Sequence, residues 1–210
     1  MELINHFYLF LAAYLMGSIP TSVWIGKIFY NTDVREHGSK NAGTTNTIRV
    51  LGAKAGIPVF IIDVLKGVAA VSLVFLIKNT KMDDNQLLNF QLILGFFALL
   101  GHIFPLFAGF KGGKGVATLL GIFLTVTPIT SLIAFGFFVI TLIISKYVSL
   151  SSITAGIVFM LSVILVFPTY PLLLKITSIG IAILLIITHR RNIQRLVRRE
   201  ENKFSFRKKI

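Results

Sequence analysis

The 31 residues from Gly115 to Ser145 read GVATLLGIFLTVTPITSLIAFGFFVITLIIS, and none of them is charged. One helix of this length would extend roughly 46 Å, whereas a bilayer core of about 30 Å is crossed by about 20 apolar residues. The pair Thr127-Pro128 falls inside the stretch, and proline ends or interrupts a helix. The stretch therefore predicts two short crossings joined near Thr127.

Apolar segments of comparable length occur along the rest of the chain. They lie near 4–28, 55–77, 86–108, 151–167 and 170–188. The whole chain is 55% hydrophobic and only 14% charged, with a mean hydropathy of +0.83, which is too apolar for a soluble domain. We expect an all-α, polytopic integral membrane protein with about seven transmembrane helices in a single domain, 1–210.

Several classes of site are excluded or disfavoured by composition. The chain has no cysteine, which excludes disulfides, thiolate zinc sites and a cysteine nucleophile. Carboxylates are nearly absent from the predicted inner loops apart from Asp33 and Glu36, so no metal site is expected. The first apolar stretch, Leu3 to Ile28, lacks a preceding basic region and a small-residue cleavage pattern, and we expect a retained helix rather than a signal peptide.

The basic residues predict the orientation in the membrane. With seven crossings, one side carries Lys27, Arg35, Lys40, Arg49, Lys54, Lys111, Lys114, Lys146 and the nine Lys and Arg after His189. The other side carries Lys78, Lys81 and Lys175, and Lys66 lies within a span. Because cytoplasmic loops are enriched in Lys and Arg, the N-terminus is expected outside and the C-terminus in the cytoplasm.

The net charge of +13 has an ordinary explanation in the same rule. The basic tail from about residue 189 is typical of cytoplasmic segments that meet anionic lipid. Nucleic acid is not an expected partner, because no recognised fold or basic platform with interleaved aromatic residues accompanies the charge.

A polar loop follows the first span and reads His37-Gly-Ser-Lys-Asn-Ala-Gly-Thr-Thr-Asn-Thr-Ile-Arg49. Its small residues would leave backbone amides uncovered, and its hydroxyl and amide side chains line the same loop, which suits a phosphate. A glycine-rich polar loop between helices is also a common turn, so both interpretations stay open for this segment alone.

The strongest local signal runs from Gly101 to Thr118 and reads Gly101-His-Ile-Phe-Pro-Leu-Phe-Ala-Gly-Phe-Lys-Gly-Gly-Lys-Gly-Val-Ala-Thr118. Two lysines flank a glycine pair just before an apolar helix, so exposed amides, ammonium groups and a helix N-terminus could converge on one anion. Gly115 rather than Ser or Thr follows Lys114, and the spacing is not that of a dinucleotide fingerprint, which disfavours ATP and NAD. The positive-inside rule alone would explain the lysines but not the four glycines among residues 109–115.

A third polar group lies at two other inner helix ends. It consists of Lys146-Tyr-Val-Ser-Leu-Ser-Ser152 and His189-Arg-Arg-Asn-Ile-Gln-Arg195. Their hydroxyl, imidazole and amide groups could complete a polar pocket. Taken singly, a serine pair that opens a helix is usually a cap, and a basic run after a span is usually an interfacial anchor.

Asp63 and Lys66 lie inside the second predicted span. They are three residues apart on one helix face, so they can pair within the membrane, where ionisable residues generally have a function. We prefer a supporting role, in which the pair orients a loop residue, and keep a proton relay as the alternative.

Together these segments resemble the membrane acyl-phosphate:glycerol-3-phosphate acyltransferases of bacteria. The matching residues are Gly38-Ser39-x-Asn41-x-Gly43-x-Thr45-Asn46 with Arg49, Gly101-His102-x-Phe104-Pro105 through Phe110-Lys-Gly-Gly-Lys-Gly-Val-Ala-Thr118, Tyr147-Val-Ser-Leu-x-Ser152, and His189-Arg-x-Asn192-Ile-x-Arg195-Leu. The resemblance covers nearly the whole chain. Two departures are Thr44, where the family often has Ala, and the tail around Arg199-Glu200-Glu201, where a Gly usually precedes the acidic residue, so Glu201 is not assigned to the site.

The resemblance implies transfer of a fatty acyl group from acyl phosphate to the sn-1 hydroxyl of glycerol 3-phosphate at the cytoplasmic face of a bacterial plasma membrane, without a cofactor. Ser39 and neighbouring loop amides would hold the donor phosphate. The expected ligands of glycerol 3-phosphate are Arg49, Lys114, Ser149, His189 and Asn192. The remaining substrate-binding or supporting groups are Asn41, Thr45, Asn46, His102, Lys111, Gly112 and Gly113, with Asp63 and Lys66 behind them.

A conventional catalytic base is hard to find, because no His is followed five residues later by Asp. Acyl phosphate is a mixed anhydride, so positioning and electrostatic stabilisation can supply most of the acceleration. We expect substrate-assisted transfer without a covalent intermediate, with His189 as the competing general base. The rival function is an organophosphate or anion transporter, which the absence of an internal repeat and the one-sided placement of the polar motifs disfavour.

Overall fold

The fold is that of a computed structural model, described here for residues 6–77 and 82–205. Within these two ranges every regular element is helical, which confirms the all-α prediction. The α-helices are α1 (Phe7–Gly17), α2 (Thr21–Tyr30), α3 (Thr44–Leu51), α4 (Ala53–Ser72), α5 (Asp84–Ile103), α6 (Val116–Val126), α7 (Pro128–Ser145), α8 (Val148–Leu161), α9 (Leu172–Thr188) and α10 (Arg190–Val197). Short 3-10 turns follow α4 and α5, and a π turn, Ser162–Val166, extends α8.

Among the described residues, four helical segments are long and apolar enough to cross a membrane. They are Ala53–Leu76, Asp84–Ala108, Pro128–Ser145 and Val148–Val166. The number rises to six if the bent pairs α1–α2 and α9–α10 each count as one span. Helix α6 is apolar but has only 11 residues, so the seventh predicted crossing stays a prediction.

The first predicted span is two helices rather than one. Helix α1 ends at Gly17, α2 begins at Thr21, and the two are bent by 42°. Pro20 sits in the break, where its missing N–H and its ring prevent a continuous helix. The prediction of one helix over 4–28 is wrong in this respect, and its first two residues lie outside the described part of the chain.

The described residues form two compact units that divide between Val126 and Thr127. The predicted interruption at Thr127-Pro128 is confirmed, because α6 ends at Val126 and Pro128 occupies the first turn of α7. Proline is favoured there because the first helical N–H groups have no partner within the helix.

Glycines bring the helices of the first unit into close contact. A Cβ on Gly67 of α4 would overlap the Thr118 carbonyl oxygen of α6, and one on Gly121 of α6 would overlap the Val64 carbonyl oxygen of α4. Gly101 of α5 similarly leaves room for the backbone of α1 at Tyr14. A core cluster of α1, α4, the 3-10 turn after it and α5 also belongs to this unit: Leu9, Phe10, Ala13, Ala70, Val74, Phe90, Leu94 and Ala98.

The second unit contains α7 to α10 and the chain up to Ser205. Pro171 precedes α9, and the Lys175 ammonium donates a hydrogen bond to the Pro168 carbonyl at 2.6 Å, which closes the turn before this helix. Helix α10 is bent by 60° from α9 at His189. Lys78 and Lys81, which the charge argument placed on the outer side, lie outside the described residues.

Candidate active site

The loop between α2 and α3 is held by one buried amide. Asn46 is 1% exposed, and its Nδ2 donates to the carbonyls of Val34, at 2.7 Å, and His37, at 3.1 Å. Its Oδ1 accepts the Ser39 backbone N–H at 2.8 Å. Gly38 has a φ of 59°, and a Cβ there would lie 2.5 Å from Asn46 Oδ1, so glycine is needed for this contact. Asn46 thus shapes the loop, and the exposed Ser39 presents its hydroxyl rather than its N–H.

The glycine pair of the second motif serves close packing. The N–H groups of Gly112 and Gly113 donate to the carbonyls of Ile103 and His102 at 3.2 and 3.1 Å. A Cβ on either glycine would overlap His102, at its carbonyl oxygen or at its ring. The expectation that these two amides are uncovered is therefore wrong, because both already have backbone acceptors. The lysines on either side keep their predicted positions, with Lys111 exposed and Lys114 partly buried just before α6.

The two polar loops meet at Gly113. A Cβ on this residue would lie 2.8 Å from the Ala42 carbonyl oxygen. Asn41 precedes that contact, and Thr45 and Arg49 follow it, one turn apart on α3. The structure thus brings the first and second motifs together within one compact unit, as the sequence predicted.

His102 lies beneath the glycine pair. It is 6% exposed, and its Nδ1 is 3.1 Å from the Thr118 hydroxyl of α6 and 3.9 Å from Asp63 Oδ1 of α4. Its ring contacts the place that a Gly113 side chain would need. His102 therefore supports the Lys111–Lys114 segment from below, in line with the supporting role expected for it.

The predicted Asp63–Lys66 pair is confirmed. Lys66 Nζ lies 2.8 Å from Asp63 Oδ1, and both side chains are buried. Asp63 Oδ1 also accepts the Thr21 hydroxyl at 3.0 Å, and Lys66 donates to the Ile19 carbonyl at 3.0 Å. These two bonds satisfy polar groups at the α1–α2 break, so the pair stabilises the interruption in the first span.

A small pocket touches both this ion pair and the glycine pair. Its lining residues are Ile19, Pro20, Thr21, Ala42, Asp63, Lys66, His102, Pro105, Gly112 and Gly113. Carboxylate, ammonium and imidazole groups are therefore gathered directly behind the loop that carries Lys111 and Lys114. In residues 6–77 and 82–205, no group of three His, Cys, Asp or Glu side chains is arranged to hold a metal ion.

In the second unit, Glu201 gathers side chains from the third motif. Its Oε1 accepts the Ser149 hydroxyl at 3.1 Å and Asn192 Nδ2 at 2.7 Å, and its Oε2 accepts Arg195 Nε at 2.7 Å. Burial alone would raise the pKa of Glu201, but the hydrogen bonds from Arg195 and Asn192 outweigh it and hold that pKa below its ordinary value.

Glu201 is the residue that the sequence prediction missed. Two features of the sequence point to this residue. Glu201 is one of two adjacent carboxylates in an otherwise basic tail, and the Ser149 hydroxyl and the Asn192 amide are hydrogen-bond donors that a carboxylate can accept. The tail returns to the start of α8, where Phe204 N–H donates to the Lys146 carbonyl at 2.7 Å. Ser149 and Asn192, which the sequence predicted to share a site, are therefore brought together.

His189 directly follows α9 and is 3% exposed. Its Nδ1 lies 2.8 Å from the Leu185 carbonyl oxygen, which can only accept. The neutral ring therefore carries its proton on Nδ1, which leaves the lone pair on Nε2. This is the tautomer that a general base or a hydrogen-bond acceptor at Nε2 would need.

Comparison with known proteins agrees with the motifs. A family model described as glycerol-3-phosphate acyltransferase matches residues 7–199. The glycerol-3-phosphate acyltransferase of Fusobacterium nucleatum is 46% identical over 193 residues, which cover 92% of this chain and 95% of the relative. That of Streptococcus equi subsp. equi is 44% identical over 200 residues, with 92% and 90% covered.

Two solved structures are also similar. The crystal structure of PlsY (YgiH), an integral membrane glycerol 3-phosphate acyltransferase, in its glycerol 3-phosphate form has a TM-score of 0.84 and 38% identity, and the match covers 96% of each chain. The lysophosphatidic acid form has a TM-score of 0.80 and 37% identity, with the same coverage.

Proposed function

Because the chain belongs to the glycerol-3-phosphate acyltransferase family and is an integral membrane enzyme of phospholipid biosynthesis, we propose that its donor is an acyl phosphate and its product 1-acylglycerol 3-phosphate. The observation that carries this proposal is the meeting of the two polar loops at Gly113, where Ala42 and His102 contact the glycine. It places the Ser39 loop and the Lys111–Lys114 segment side by side. Two loops with hydroxyl and ammonium groups suit a substrate pair in which both members carry a phosphate.

The chemistry of the chain favours an activated donor. It has no cysteine, so no thiolate nucleophile is available. No His precedes an Asp by five residues, so a catalytic base of the His-x4-Asp type is also missing. An acyl phosphate needs little help, because its phosphate is already a good leaving group. Alignment of the two substrates and stabilisation of the developing charge then supply most of the acceleration.

The assignment of ligands follows the motifs, adjusted for the geometry. The Ser39 hydroxyl holds the donor phosphate, with Asn41, Thr45 and Lys111 as further polar groups of the same unit. Asn46 and His102 support these loops through the contacts already described. The proposed ligands of glycerol 3-phosphate, which follow the family resemblance, are Arg49, Lys114, Ser149, His189 and Asn192.

The proposed transfer is substrate-assisted. The sn-1 hydroxyl oxygen attacks the acyl carbon, the bond between that carbon and the phosphate oxygen breaks, and the departing phosphate takes the hydroxyl proton. The products are lysophosphatidate and inorganic phosphate. The competing mechanism uses Nε2 of His189 as the base, and it requires activity to rise with an ionisation near pH 6 to 7. A rate profile without that ionisation supports the substrate as base.

For Asp63 and Lys66 we prefer positioning to proton transfer. Their bonds run to Thr21 and to the Ile19 carbonyl, and His102 is their neighbour on the side of the glycine pair. These partners hold backbone and side chains in place.

The proposed topology follows the distribution of charge. A single transmembrane acyltransferase domain crosses a bacterial plasma membrane seven times, with α6 as the short crossing, the N-terminus outside and the C-terminus in the cytoplasm. All three polar motifs then face the cytoplasm, where glycerol 3-phosphate is available.

The test is purified protein incubated with palmitoyl phosphate and labelled glycerol 3-phosphate, without coenzyme A. We expect labelled lysophosphatidate, and at least a hundredfold loss of kcat/KM for Lys114→Ala, since a cation that binds phosphate contributes roughly 3 kcal/mol. Lys54→Ala removes an exposed cation from the start of α4 and is the matched control.

Absence of labelled product from the wild-type enzyme would contradict the acyl phosphate donor. Near-wild-type activity of Lys114→Ala would instead remove only that residue from the site. If no product forms while glycerol phosphate crosses reconstituted vesicles, the transporter is the better function.

A further inference from the structure

Asp33 and Arg35 form a carboxylate–guanidinium pair beside the Ser39 loop, outside the membrane-spanning helices. Asp33 Oδ1 accepts the backbone N–H and the Nε–H of Arg35, both at 3.0 Å, and Oδ2 accepts Arg35 Nη2 at 2.8 Å. Lys27 adds an ammonium 3.3 Å from Oδ2. The Arg35 hydrogen bond holds the pKa of Asp33 well below its usual range, and Asp33 in turn raises that of Arg35. This arrangement fixes the plane of the guanidinium group.

The remaining arm of Arg35 reaches the other polar loop. Its Nη1 donates to the Ala108 carbonyl at 2.7 Å, across 73 positions of sequence. Ala108 ends the 3-10 turn after α5, and the next two residues, Gly109 and Phe110, have φ of 62° and 59°. The Lys111 N–H also points to the Ala108 carbonyl, at 3.4 Å. Arg35 thus holds the turn from which Lys111 emerges.

The same segment is tied to Ser39. Asn46 Nδ2 donates to the carbonyl of Val34, the residue between Asp33 and Arg35, while Asn46 Oδ1 accepts the Ser39 N–H. Three hydrogen bonds and one peptide bond therefore connect Ser39 to Ala108. The hydrogen bonds join Ser39 to Asn46, Asn46 to Val34 and Arg35 to Ala108, with donor–acceptor distances of 2.7 to 2.8 Å, and the peptide bond joins Val34 to Arg35.

We propose that Arg35 is a positioning residue that sets the separation of the Ser39 loop and the Lys111–Lys114 segment, and so determines how tightly the enzyme binds its two phosphate-bearing substrates. The inference rests on the proposed function, which places substrate phosphates on these two loops. Loops that are already held at the right distance need not be ordered when the substrates bind. Without the Arg35 hydrogen bonds, substrate binding must also order the loops, and the entropy cost of this ordering weakens the binding. All three guanidinium nitrogens of Arg35 donate to Asp33 or to the Ala108 carbonyl.

The first measurement is the KM for each substrate in Arg35→Gln, Arg35→Lys and wild-type enzyme. Arg35→Gln should raise both KM values roughly tenfold while kcat changes about twofold at most. Loss of one charge-assisted hydrogen bond weakens binding by roughly this factor of ten. Arg35→Lys keeps the charge but lacks the planar fork, and should fall between the two. Lys54→Gln, which removes an exposed charge at the start of α4, should leave both KM values unchanged.

The second measurement reports the loops directly. Because the chain has no native cysteine, spin labels can be placed at His37→Cys and Phe107→Cys, which are exposed positions on the two loops. The distance distribution between the labels should be narrow in the otherwise wild-type and Lys54→Gln backgrounds and clearly broader with Arg35→Gln. If Arg35→Gln does not purify, Arg35→Lys is measured in its place, with a smaller broadening expected.

Wild-type KM values, or an unbroadened distance distribution, in the Arg35 variant would overturn the inference. A rise in both KM values together with a broadened distribution supports it. The wild-type reaction separates this result from the proposed function: if wild-type enzyme forms no lysophosphatidate, the function fails, whereas the label distances still report whether Arg35 holds the loops.

Discussion

At the scale of single residues, Glu201 accepts hydrogen bonds from several side chains of the third polar group. Three donors converge on its two oxygens, although the carboxylate lies only a few residues beyond the end of α10. Two of the donors, Ser149 and Asn192, are proposed substrate ligands. The carboxylate therefore fixes the orientation of groups that would otherwise sample several rotamers.

Glu201→Gln should lower the free energy of unfolding by about 2 kcal/mol, since it removes charge-assisted bonds and turns a donor toward other donors. Glu200→Gln is the control, because the Glu200 side chain is exposed. Thermal unfolding in detergent measures both. The folded-state pKa of Glu201 is depressed, so the difference from wild type should be full above the ordinary value of 4.5 and should disappear as pH falls through the folded pKa. Equal unfolding midpoints for the two variants would contradict this role.

The buried pair in α4 allows a sharper test. Lys66→Met leaves the Asp63 carboxylate with the Thr21 hydroxyl as its hydrogen-bond donor, and should destabilise the protein by about 3 kcal/mol. Asp63→Leu combined with Lys66→Met should cost less than Lys66→Met alone, because no uncompensated charge is left. A double-mutant cycle of unfolding free energies gives the comparison.

Activity of the same variants separates the two roles of the pair. If the double variant keeps measurable turnover once folded, positioning is supported. Complete loss of kcat in a stably folded double variant, with substrate binding retained, would favour the proton relay.

These residues also show which contacts a sequence can predict. Asp63 and Lys66 pair across one turn of one helix, so their spacing was sufficient. Ser149 and Glu201 are 52 positions apart, and their contact depends on the path of the tail after α10. The glycine pair was recognised as special, but the reason is the proximity of His102 and Ala42, which no local pattern contains.

At the scale of helices, the crossing of α4 and α6 depends on two glycines. Backbone atoms of each helix occupy the space where a side chain of the other would be. Gly121→Ala should therefore separate the helices and lower stability by roughly 2 kcal/mol. Gly180→Ala in α9 is a matched control, since a Cβ there meets nothing within 4 Å. The prediction fails if both variants unfold at the same temperature in detergent.

Helix positions were largely predictable because hydrophobic length is a local property. The segments expected near 55–77, 86–108 and 170–188 correspond to α4, α5 and α9 within a few residues, as does the interruption at Thr127. The break between α1 and α2 was not expected, although Pro20 is visible in the sequence. Its polar groups are satisfied by Asp63 and Lys66 of another helix, and that compensation becomes apparent only in three dimensions.

At the scale of the whole molecule, the proposed topology can be checked with introduced cysteines, because each would be the chain's single thiol. We expect Thr169→Cys to react with a membrane-impermeant maleimide in intact cells. His37→Cys and Asn202→Cys should react only after the cells are permeabilised. All three positions are exposed, so differences in labelling report the side of the membrane. Labelling of Asn202→Cys in intact cells would contradict the cytoplasmic C-terminus.

Helix α6 is only 11 residues long, so it rises roughly 16 Å, about half of an ordinary hydrocarbon core. If it is the seventh crossing, the lipids beside it must compress to meet its ends, and this hydrophobic mismatch grows with the length of the surrounding acyl chains. Those chains belong to phospholipids that are made from the enzyme's own product. In that case the thickness of the bilayer acts on the same enzyme that supplies precursors of its lipids.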